Sequence, residues 1–346
     1  MPDMEKNRVT IYEIAKALGI DSSTVSRALN DSSRVSQKTK NKVLKKAGEL
    51  GYQRNMLASN LRKSRGNTIG VVVPRIARHF FSESISGIED AAFSAGYNVL
   101  ICQSLEQLER EQRITANLIA NQVDGILISI SMESNDCEHL DYFEKHHIPL
   151  VFFDRYCKSM PSSSKVLGDD FRASRDAVEH LVRNGCTRIA HLSGPQNLEI
   201  YRNRFLGYKA ALEHHMLPYD EQLVVVSRLM EEDGYGVMKD FYERKTAIDG
   251  VFSANDTAAI GAMKYLKEHH IGIPDEIALV GFSNEPVSEV IEPALSTIDQ
   301  SGFAMGKIAC ELLIEKIEKR EEVENRTITL EASFVERASS LRKRKG

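Results

Sequence analysis

Residues 9–30 read VTIYEIAKALGIDSSTVSRALN, and this pattern predicts two short helices joined by a tight turn. Thr10 begins a capping box with the glutamate three residues later, in which each side chain bonds a backbone amide of the other. Gly19 ends the first helix, and Asp21 can cap a second helix over residues 22–30. The stretch therefore predicts a helix-turn-helix.

The second helix has one apolar and one polar face. Val25 and Leu29 lie four residues apart and point into the same small core. The opposite face carries side chains that are free to reach a partner, namely Ser22, Ser23, Ser26 and Arg27. In a helix-turn-helix, the second helix enters the major groove, where arginine can bond guanine and short hydroxyls reach bases or phosphates. From these residues alone, a small helical bundle that binds no nucleic acid is the alternative.

A third helix and a positive charge complete this N-terminal head. Ser36 can cap the helix, Gly51 can stop it, and the side chains expected to face inward are Val43, Leu44, Ala47 and Leu50. Residues 1–65 carry 14 Lys and Arg against 6 Asp and Glu, whereas the remainder carries 31 against 43. A basic head on an acidic body suggests that the head meets a polyanion, although a solvated basic surface has the same charge.

From Thr68 onward, short apolar runs rich in β-branched residues alternate with segments of helical period. The runs predicted as strands are residues 69–73, 98–102, 125–130, 150–154, 188–194, 250–254 and 277–282. The segments predicted as helices are residues 82–95, 109–121, 174–184, 204–214, 258–269 and 303–319. Strands that alternate with helices form parallel α/β sheets, and the body is long enough for two similar lobes.

Composition and motifs argue against several classes of protein. No apolar run approaches the ~18 residues that cross a bilayer, and the charged start MPDMEKNRVT is unlike a secretory signal. The five cysteines, without a CxxC pair, argue against a zinc ribbon or a disulfide framework and favour a reduced cytosol. No GxxxxGK[ST], GxSxG or HExxH motif occurs. We therefore expect a cytoplasmic protein that is not an enzyme and has no catalytic residues and no cofactor.

Three histidine pairs, at residues 146–147, 214–215 and 269–270, invite a metal-binding interpretation. Adjacent residues do not share a helix face, so these pairs make poor metal sites. Each pair falls near a predicted helix end, where a cation is favourable for electrostatic reasons alone. The sequence therefore predicts no metal.

The head resembles the helix-turn-helix of the LacI/GalR family of bacterial repressors. That family has the pattern VTIxDVAxxAGVSxxTVSRxLN, followed by VSxxTRxxVxxAxxxLxYxPN, and residues 35–55 here read VSQKTKNKVLKKAGELGYQRN. The similarity continues through blocks such as IGVVVP (69–74), FSANDTAAIGA (252–262) and IPDEIALVGFSN (273–284), in the family's order. It covers nearly the whole chain.

The resemblance implies an all-α helix-turn-helix head followed by a two-lobed α/β body with parallel sheets, like a periplasmic binding protein. The expected parts are the head at 1–54, a hinge helix or linker at 55–65, the body at 66–340 and a basic tail at 341–346. The first lobe is expected at about 66–160 and 292–325, and the second at about 161–291 and 326–340.

The resemblance also implies roles in DNA binding. The family's base-reading positions match Ser22, Ser23 and Arg27. Positions that meet phosphates or brace the head match Thr10, Ser26, Asn30, Ser36, Thr39 and Tyr52. The hinge matches residues 55–63, with Asn55, Ala58 and Leu61 as its candidates, and Arg54 stands where the family usually has proline. Leu61 matches the leucine that wedges into the minor groove, unstacks a base step and bends DNA.

In such a body, an effector lies between the lobes at the carboxyl ends of the strands. The matching positions are Phe80, Phe81, Asp154, Arg155, Arg204, Leu229, Asn255, Asp256 and Ser283. Carboxylates and arginines suit polyhydroxylated ligands, because each hydroxyl can donate and accept a hydrogen bond. Ser283 departs from the family, which usually has an aspartate there in GFDD or GFDN, so one negative charge is missing.

We therefore expect a homodimeric transcriptional repressor of the LacI/GalR type. It would bind a palindromic operator in double-stranded DNA and respond to a carbohydrate in the cleft, with no membrane partner. The body alone would also permit a solute-binding protein of a transport system. A regulator gated by a protein corepressor is a further alternative, whereas an enzyme has no motif in its support.

Overall fold

The computed structural model describes residues 9–52, 66–319 and 323–342. The chain divides into two compact units, Met1–Gly66 and Asn67–Gly346. In the first unit, the three predicted helices form: α1 Ile11–Leu18, α2 Ser22–Leu29 and α3 Gln37–Glu49. Gly19 ends α1 with a φ of 65°, a left-handed conformation that glycine adopts without steric cost.

The core of the head lies where the three helices meet. Ile14, Val25 and Val43 contribute one fully buried side chain from each helix. The inward face of α3 is narrower than the sequence predicted, because Leu44 is 54% exposed and Leu50 is 37% exposed. Val43 and Ala47 lie four residues apart and occupy the side of α3 that faces the core. Leu44 is one position after Val43, so it points away from the core.

The first lobe of the body is built on a six-stranded parallel sheet in the order β11-β5-β4-β3-β1-β2. Its strands are β1 Thr68–Val73, β2 Asn98–Gln103, β3 Gly125–Ile128, β4 Leu150–Phe153, β5 Ser164–Gly168 and β11 Thr327–Leu330. Its helices are α4 His79–Ser94, α5 Leu108–Ala120, α6 Asp141–Lys145 and α12 Gly302–Lys319. One face of the sheet buries Val71 against α4 and α12, and the other buries Val72 against α5 and α6. Apolar burial on both faces is expected of parallel strands.

The second lobe has a four-stranded parallel sheet in the order β7-β6-β8-β9 and a two-stranded antiparallel sheet. The strands are β6 Ile189–Ser193, β7 Val224–Val226, β8 Gly250–Ser253, β9 Ala278–Val280, β10 Thr297–Asp299 and β12 Ser333–Val335. The helices are α7 Asp170–Arg183, α8 Glu199–His214, α9 Glu231–Glu243, α10 Asp256–Glu268 and α11 Val287–Val290. Helices α7 and α8 cover one face of the sheet, and α9 and α10 cover the other.

Within the described residues, the chain crosses between the lobes three times, each time later than the expected lobe boundaries. The crossings follow Gly168, Asp299 and Leu330. Strands β5 and β11, which were expected in the second lobe, pair with each other in the first. Strand β10, expected in the first lobe, pairs with β12 in the second. Each crossing comes after a short extra strand, which moves the boundary by several residues.

The cysteines depart from the sequence expectation at one pair. Cys137 and Cys157 form a disulfide with Cα atoms 6.3 Å apart. They are 20 residues apart in sequence, but they follow the adjacent strands β3 and β4, so the loops after these strands bring them together. Among the residues that the structure describes, no helix is both long and apolar enough to span a membrane.

Candidate functional site

Helix α2 presents the polar face that the sequence predicted. Val25 is fully buried and Ala28 is 3% exposed, so these residues fix the helix against α1 and α3. Ser23 and Arg27 are exposed four residues apart, and Ser22 and Ser26 are half-buried beside them. A short, firmly seated helix with hydroxyls and a guanidinium on its outer face has the form needed to contact the edges of bases.

Small polar side chains secure the ends of the head's helices. The Glu13 carboxylate accepts bonds from the backbone N–H of Thr10 at 2.5 Å and from its hydroxyl at 3.0 Å. The Ser36 hydroxyl accepts from the backbone N–H of Thr39 at 3.3 Å. The Asn30 amide donates to the carbonyl of Ser26 at 2.7 Å. These bonds brace the head.

The remaining head and hinge candidates fall into two groups. Tyr52 is half-buried and packs against the core of the head. Arg54, Asn55, Ala58 and Leu61, with the rest of the hinge, lie outside the described residues.

A cavity of about 360 Å³ lies between the two lobes, at the carboxyl ends of the strands. Seven of the nine residues expected to contact an effector line it: Phe80, Phe81, Asp154, Arg155, Arg204, Asn255 and Ser283. Leu229 and Asp256 are not among the lining residues. The size and mixed polar and aromatic lining are typical of a small-molecule site.

Arg204 is held firmly by its own chain. Its Nε donates to the Asp170 carboxylate at 2.7 Å, and Nη1 donates to the carbonyl of Ala254 at 2.7 Å. The guanidinium lies 3.6 Å from the centroid of the Phe282 ring. Only 3% of the side chain is exposed. These contacts engage three of the five guanidinium N–H groups, so Arg204 forms part of the wall of the cleft and keeps two donors for a ligand.

Asp154 and Arg155 form the polar floor on the first lobe. Arg155 bonds the Glu106 carboxylate at 2.8 Å, and its Nε lies 3.6 Å from Asp154. Burial raises the pKa of Asp154 to about 6, against the opposing effect of Arg155. Arg155 also reaches across the cleft to the Tyr201 hydroxyl at 3.4 Å. The floor thus combines a carboxylate with a raised pKa and an arginine already neutralised by Glu106.

The two candidates outside the cavity have structural roles. Asp256 is fully buried, and its carboxylate accepts bonds from the Thr297 hydroxyl, the Ser288 hydroxyl and the backbone N–H of Glu285, at 2.6–2.8 Å. Burial raises the pKa of Asp256 to about 6. Leu229 is fully buried with a φ of 57°. These residues shape the loops behind the cavity.

Two of the lining residues also have internal partners. Asn255 caps α10 by accepting from the backbone N–H of Ala258 at 2.8 Å, and its amide donates to the carbonyl of Leu229 at 2.9 Å. The Ser283 hydroxyl donates to Gln300 at 2.9 Å. The family usually has an aspartate at the position of Ser283. Here Ser283 and Gln300 form an uncharged pair, so this part of the cavity wall has no negative charge.

Sequence reasoning missed most of the cavity wall. The additional lining residues are Arg75, Arg78, Leu105, Glu106, Gln107, Met132, Glu133, Pro195, Ile200, Tyr201, Arg228, Met230, Thr257, Glu285 and Gln300. A signal for many of them was available, because Arg75, Leu105 and Arg228 come within two residues of the end of a strand. In parallel sheets, ligands bind at that edge, so the residues after each strand are candidates by position alone.

The histidine pair at residues 214–215 lies beside Glu179, a residue that is distant in sequence. The possible ligand atoms of Glu179, His214 and His215 all lie within 4.8 Å of one another. Glu179 comes from α7, and the histidines stand at the end of α8. Arg175 places its Nε 3.6 Å from the same glutamate, and a guanidinium there opposes a second cation.

Two family descriptions match separate parts of the chain. Residues 10–55 match "Bacterial regulatory proteins, lacI family". Residues 178–340 match "Periplasmic binding protein-like domain".

Similar proteins match over most of their length. The "Ribose operon repressor" of Halalkalibacterium halodurans is 32% identical over 315 residues, which is 90% of this chain and 91% of that protein. The "HTH-type transcriptional regulator DegA" of Bacillus subtilis is 32% identical over 86% of this chain and 88% of that protein.

Solved structures agree with both parts. A lac repressor dimer bound to operator and the anti-inducer ONPF is 26% identical, with a TM-score of 0.86, over 97% of this chain and all of that chain. A LacI family regulator from Enterococcus faecium with bound ribose is 30% identical, with a TM-score of 0.68, over 79% of this chain and 98% of that chain.

Proposed function

The chain belongs to the lacI family of bacterial regulatory proteins, and from this we propose that it is a transcriptional repressor with a sugar-responsive operator affinity. The repressor binds a palindromic operator as a homodimer. A sugar or sugar derivative between the lobes sets the affinity for that operator. Because bacterial operators lie in the cytoplasm, the proposal places the protein there, and it assigns the cleft no catalytic role.

The observation that carries the proposal is the outer face of α2. Ser22, Ser23 and Arg27 read base edges from a helix fixed by its buried face. Contacts with phosphates and the bracing of the head are assigned to Thr10, Ser26, Asn30, Ser36, Thr39 and Tyr52. The hinge candidates Asn55, Ala58 and Leu61 complete the DNA-binding set, with Leu61 as the minor-groove wedge.

A dimer follows from the form of the operator. Two copies of a head related by a two-fold axis read two half-sites of opposite orientation, so the operator is palindromic. The lac repressor of similar structure is described as a dimer bound to operator, which supports this arrangement.

The cleft supports a carbohydrate effector. Phe80 and Phe81 supply ring surface, and Asp154, Arg155 and Asn255 supply donors and acceptors. Ribose is bound in the related Enterococcus faecium structure, and the Halalkalibacterium relative is named for a ribose operon. Pockets that combine apolar walls with a few polar groups select small polar molecules.

Ligand and operator are coupled through the angle between the lobes. Three crossings, after Gly168, Asp299 and Leu330, form the only covalent connections between the lobes among the described residues. A ligand that binds one lobe angle more tightly shifts the population toward that angle. We propose that this shift is transmitted to the head and changes the affinity for the operator by a coupling free energy of a few kcal/mol.

Operator binding by the full chain tests the proposal. An operator is selected from random double-stranded DNA, and its affinity is measured by fluorescence anisotropy against an unrelated duplex. Arg27→Ala is expected to cost ~1–3 kcal/mol on the selected operator and to relax the preference at one base pair. Arg172→Ala, on the body helix α7 with an exposed side chain, is the control and is expected to bind as the parent does.

Failure to select any sequence would contradict operator binding. An equal loss of affinity for all duplexes in Arg27→Ala would contradict base reading by Arg27 and leave it a phosphate contact.

A further inference from the structure

Five arginines and four carboxylates line the cleft, and three of these arginines have no carboxylate partner among the described residues. Arg75, Arg78 and Arg228 all line the cavity. Within the described ranges, no carboxylate oxygen lies within 4.0 Å of any of these three guanidinium groups. Arg75 and Arg78 belong to the loop after β1 in the first lobe, and Arg228 follows β7 in the second. Both lobes therefore present unneutralised arginines to the same space.

Arg78 is the most informative of the three. It is half-buried and reaches across the cleft, where Nη1 donates to the Thr257 hydroxyl and Nη2 lies 3.4 Å from the Met230 sulfur. A hydroxyl and a thioether carry no charge, so neither neutralises the guanidinium. A charge taken partly out of water is costly unless an opposite charge accompanies it. The position therefore favours an anion in the adjoining cavity.

Four carboxylates line the cavity, and among the described residues none of them forms an ion pair with Arg75, Arg78 or Arg228. Glu106 is paired with Arg155 at 2.8 Å. Glu133 accepts the backbone N–H of Leu108 at 3.1 Å, and Glu285 accepts that of His79 at 3.3 Å. Asp154 lies 3.6 Å from Arg155, beyond good hydrogen-bonding distance. Ser283 adds no charge where the family usually has an aspartate, so the second lobe is less acidic than the resemblance predicts.

We propose that the effector is an anionic sugar derivative, whose carboxylate or phosphate is bound by Arg75, Arg78 and Arg228. This inference rests on the proposed function, because it names the class of ligand in the same cleft. The hydroxyls of the ligand face Asp154 and Asn255, and its anionic group faces the loops after β1 and β7. Guanidinium groups suit both anions, since their planar donors bond two oxygens at once.

Matched pairs of ligands test the charge requirement. The melting temperature of the full chain is measured with glucose, gluconate, glucuronate and glucose 6-phosphate, with ribose and ribose 5-phosphate, and with inorganic phosphate, all at equal ionic strength. At about a hundred times its Kd, a ligand is expected to raise the melting temperature by roughly 5–10 °C. We expect one anionic member to exceed its neutral parent, and the carboxylate and phosphate arms then distinguish the two sources of charge.

Arginine variants locate the effect. Arg78→Gln and Arg228→Gln are expected to weaken the anionic ligand by about 10- to 100-fold more than its neutral parent. Arg228 is exposed, so its variant keeps the test valid if Arg78→Gln fails to fold. Arg172→Gln, at an exposed residue that does not line the cavity, is the matched control. Phosphate bound by the basic head is unaffected by all three changes and cancels from the comparison.

Two results would overturn the inference. One is that the neutral sugar raises the melting temperature as much as its anionic derivative does. That result would contradict an anionic effector but would leave a sugar effector, and the proposed function, in place. The other is that no anion, inorganic phosphate included, stabilises the chain through these arginines. Operator binding, measured on the same preparations, then reports on the proposed function separately.

Discussion

At the scale of single residues, Arg204 lines the cavity and also has a structural role. Its guanidinium is held by Asp170, the Ala254 carbonyl and the Phe282 ring. Replacing it would leave the Asp170 carboxylate buried without its partner, and a buried charge that loses its partner costs several kcal/mol. A loss of effector response in such a variant would therefore report a damaged wall as readily as a lost contact.

Arg204→Ala is accordingly expected to lower the free energy of unfolding by about 3–5 kcal/mol, measured by urea denaturation. Arg202→Ala is the control, because the side chain of this neighbour on α8 is 56% exposed and forms a long ion pair with Glu199. It is expected to change stability by less than about 0.5 kcal/mol. If the two variants had the same free energy of unfolding, the buried Asp170 carboxylate would not depend on Arg204 for its stability.

Asp154 makes a prediction about pH. Its pKa is about 6 in the folded protein, against 3.8 for the ordinary carboxyl, because burial disfavours the charged form. Between these values the folded state binds more protons than the unfolded state, so stability falls as pH rises from about 4 to about 6. Asp154→Asn removes this contribution and is expected to be more stable than the parent at pH 7 by on the order of 1–3 kcal/mol.

Urea denaturation at a series of pH values from 4 to 7 measures the difference. Asp136→Asn, in an exposed loop position, is the control and is expected to follow the parent's profile. If the free energy of unfolding of Asp154→Asn depended on pH as that of the parent does, Asp154 would not have the raised pKa that its burial predicts.

Which site residues could be predicted depends on what the sequence encodes locally. Ser22, Ser23 and Arg27 were found because helical period and a buried seam place them outward. The charge-bearing Arg78 was missed, because its importance comes from Thr257 and Met230, which are distant in sequence. Asp256 was expected in the cavity, yet three donors from other segments draw it into the protein behind the wall.

At the scale of elements, helix α9 packs closely against α10. A Cβ on Gly234 would fall well inside van der Waals contact with the carbonyl oxygen of Ala258, a backbone atom that cannot rotate away. Gly236, on the same helix, has nothing within 4 Å of the same position. Gly234 therefore faces the backbone of α10, whereas Gly236 faces open space.

Gly234→Ala is expected to cost about 1–3 kcal/mol of unfolding free energy, because the added methyl group forces the two helices apart. Gly236→Ala is expected to stabilise the chain by roughly 0.5–1 kcal/mol, because alanine is the better helix former. Urea denaturation of both variants gives the comparison. A destabilised Gly236→Ala would contradict the assignment of the close contact to Gly234.

Long, strongly apolar elements could be predicted, and short or glycine-containing ones could not. All seven strands expected from the sequence form. The five that were missed, β5, β7, β10, β11 and β12, are short and none is buried along its whole length, so in most of them polar residues interrupt the apolar run. Helix α9 was missed because two glycines weaken its helical signal, although packing against α10 requires one of them.

At the scale of the whole molecule, the coupling between cleft and operator is reciprocal. If a cleft ligand changes operator affinity by a given factor, operator DNA must change the affinity for that ligand by the same factor. We expect a factor of about 5–150 from couplings of 1–3 kcal/mol. The ligand that most raises the melting temperature is titrated with and without saturating operator, by calorimetry.

A variant with a weakened cleft provides the control for this linkage. Arg228→Gln is expected to weaken the ligand by the same factor on and off DNA, so that the coupling is preserved. Ligand affinity that is identical with and without operator, in a protein whose operator affinity responds to ligand, would violate linkage and indicate a second ligand site.

The fold class itself was predictable, and the match to lacI-family regulators confirms it. The lobe boundaries could not be predicted from the sequence. They depend on which of the two lobes each short strand next to a crossing joins. Loops after strands β3 and β4 also meet in space, which explains a disulfide that the spacing of the cysteines did not predict.

The three crossings have a consequence for how the protein is made. The first lobe takes its edge strand from residues 327–330, and the second lobe completes a sheet with residues 333–335. Neither lobe is therefore whole until this late segment has left the ribosome, although the head is contiguous and can fold as soon as it emerges. A nascent chain then carries a finished DNA-binding head on an unfinished body, with open sheet edges that expose it to misassembly until translation passes residue 335.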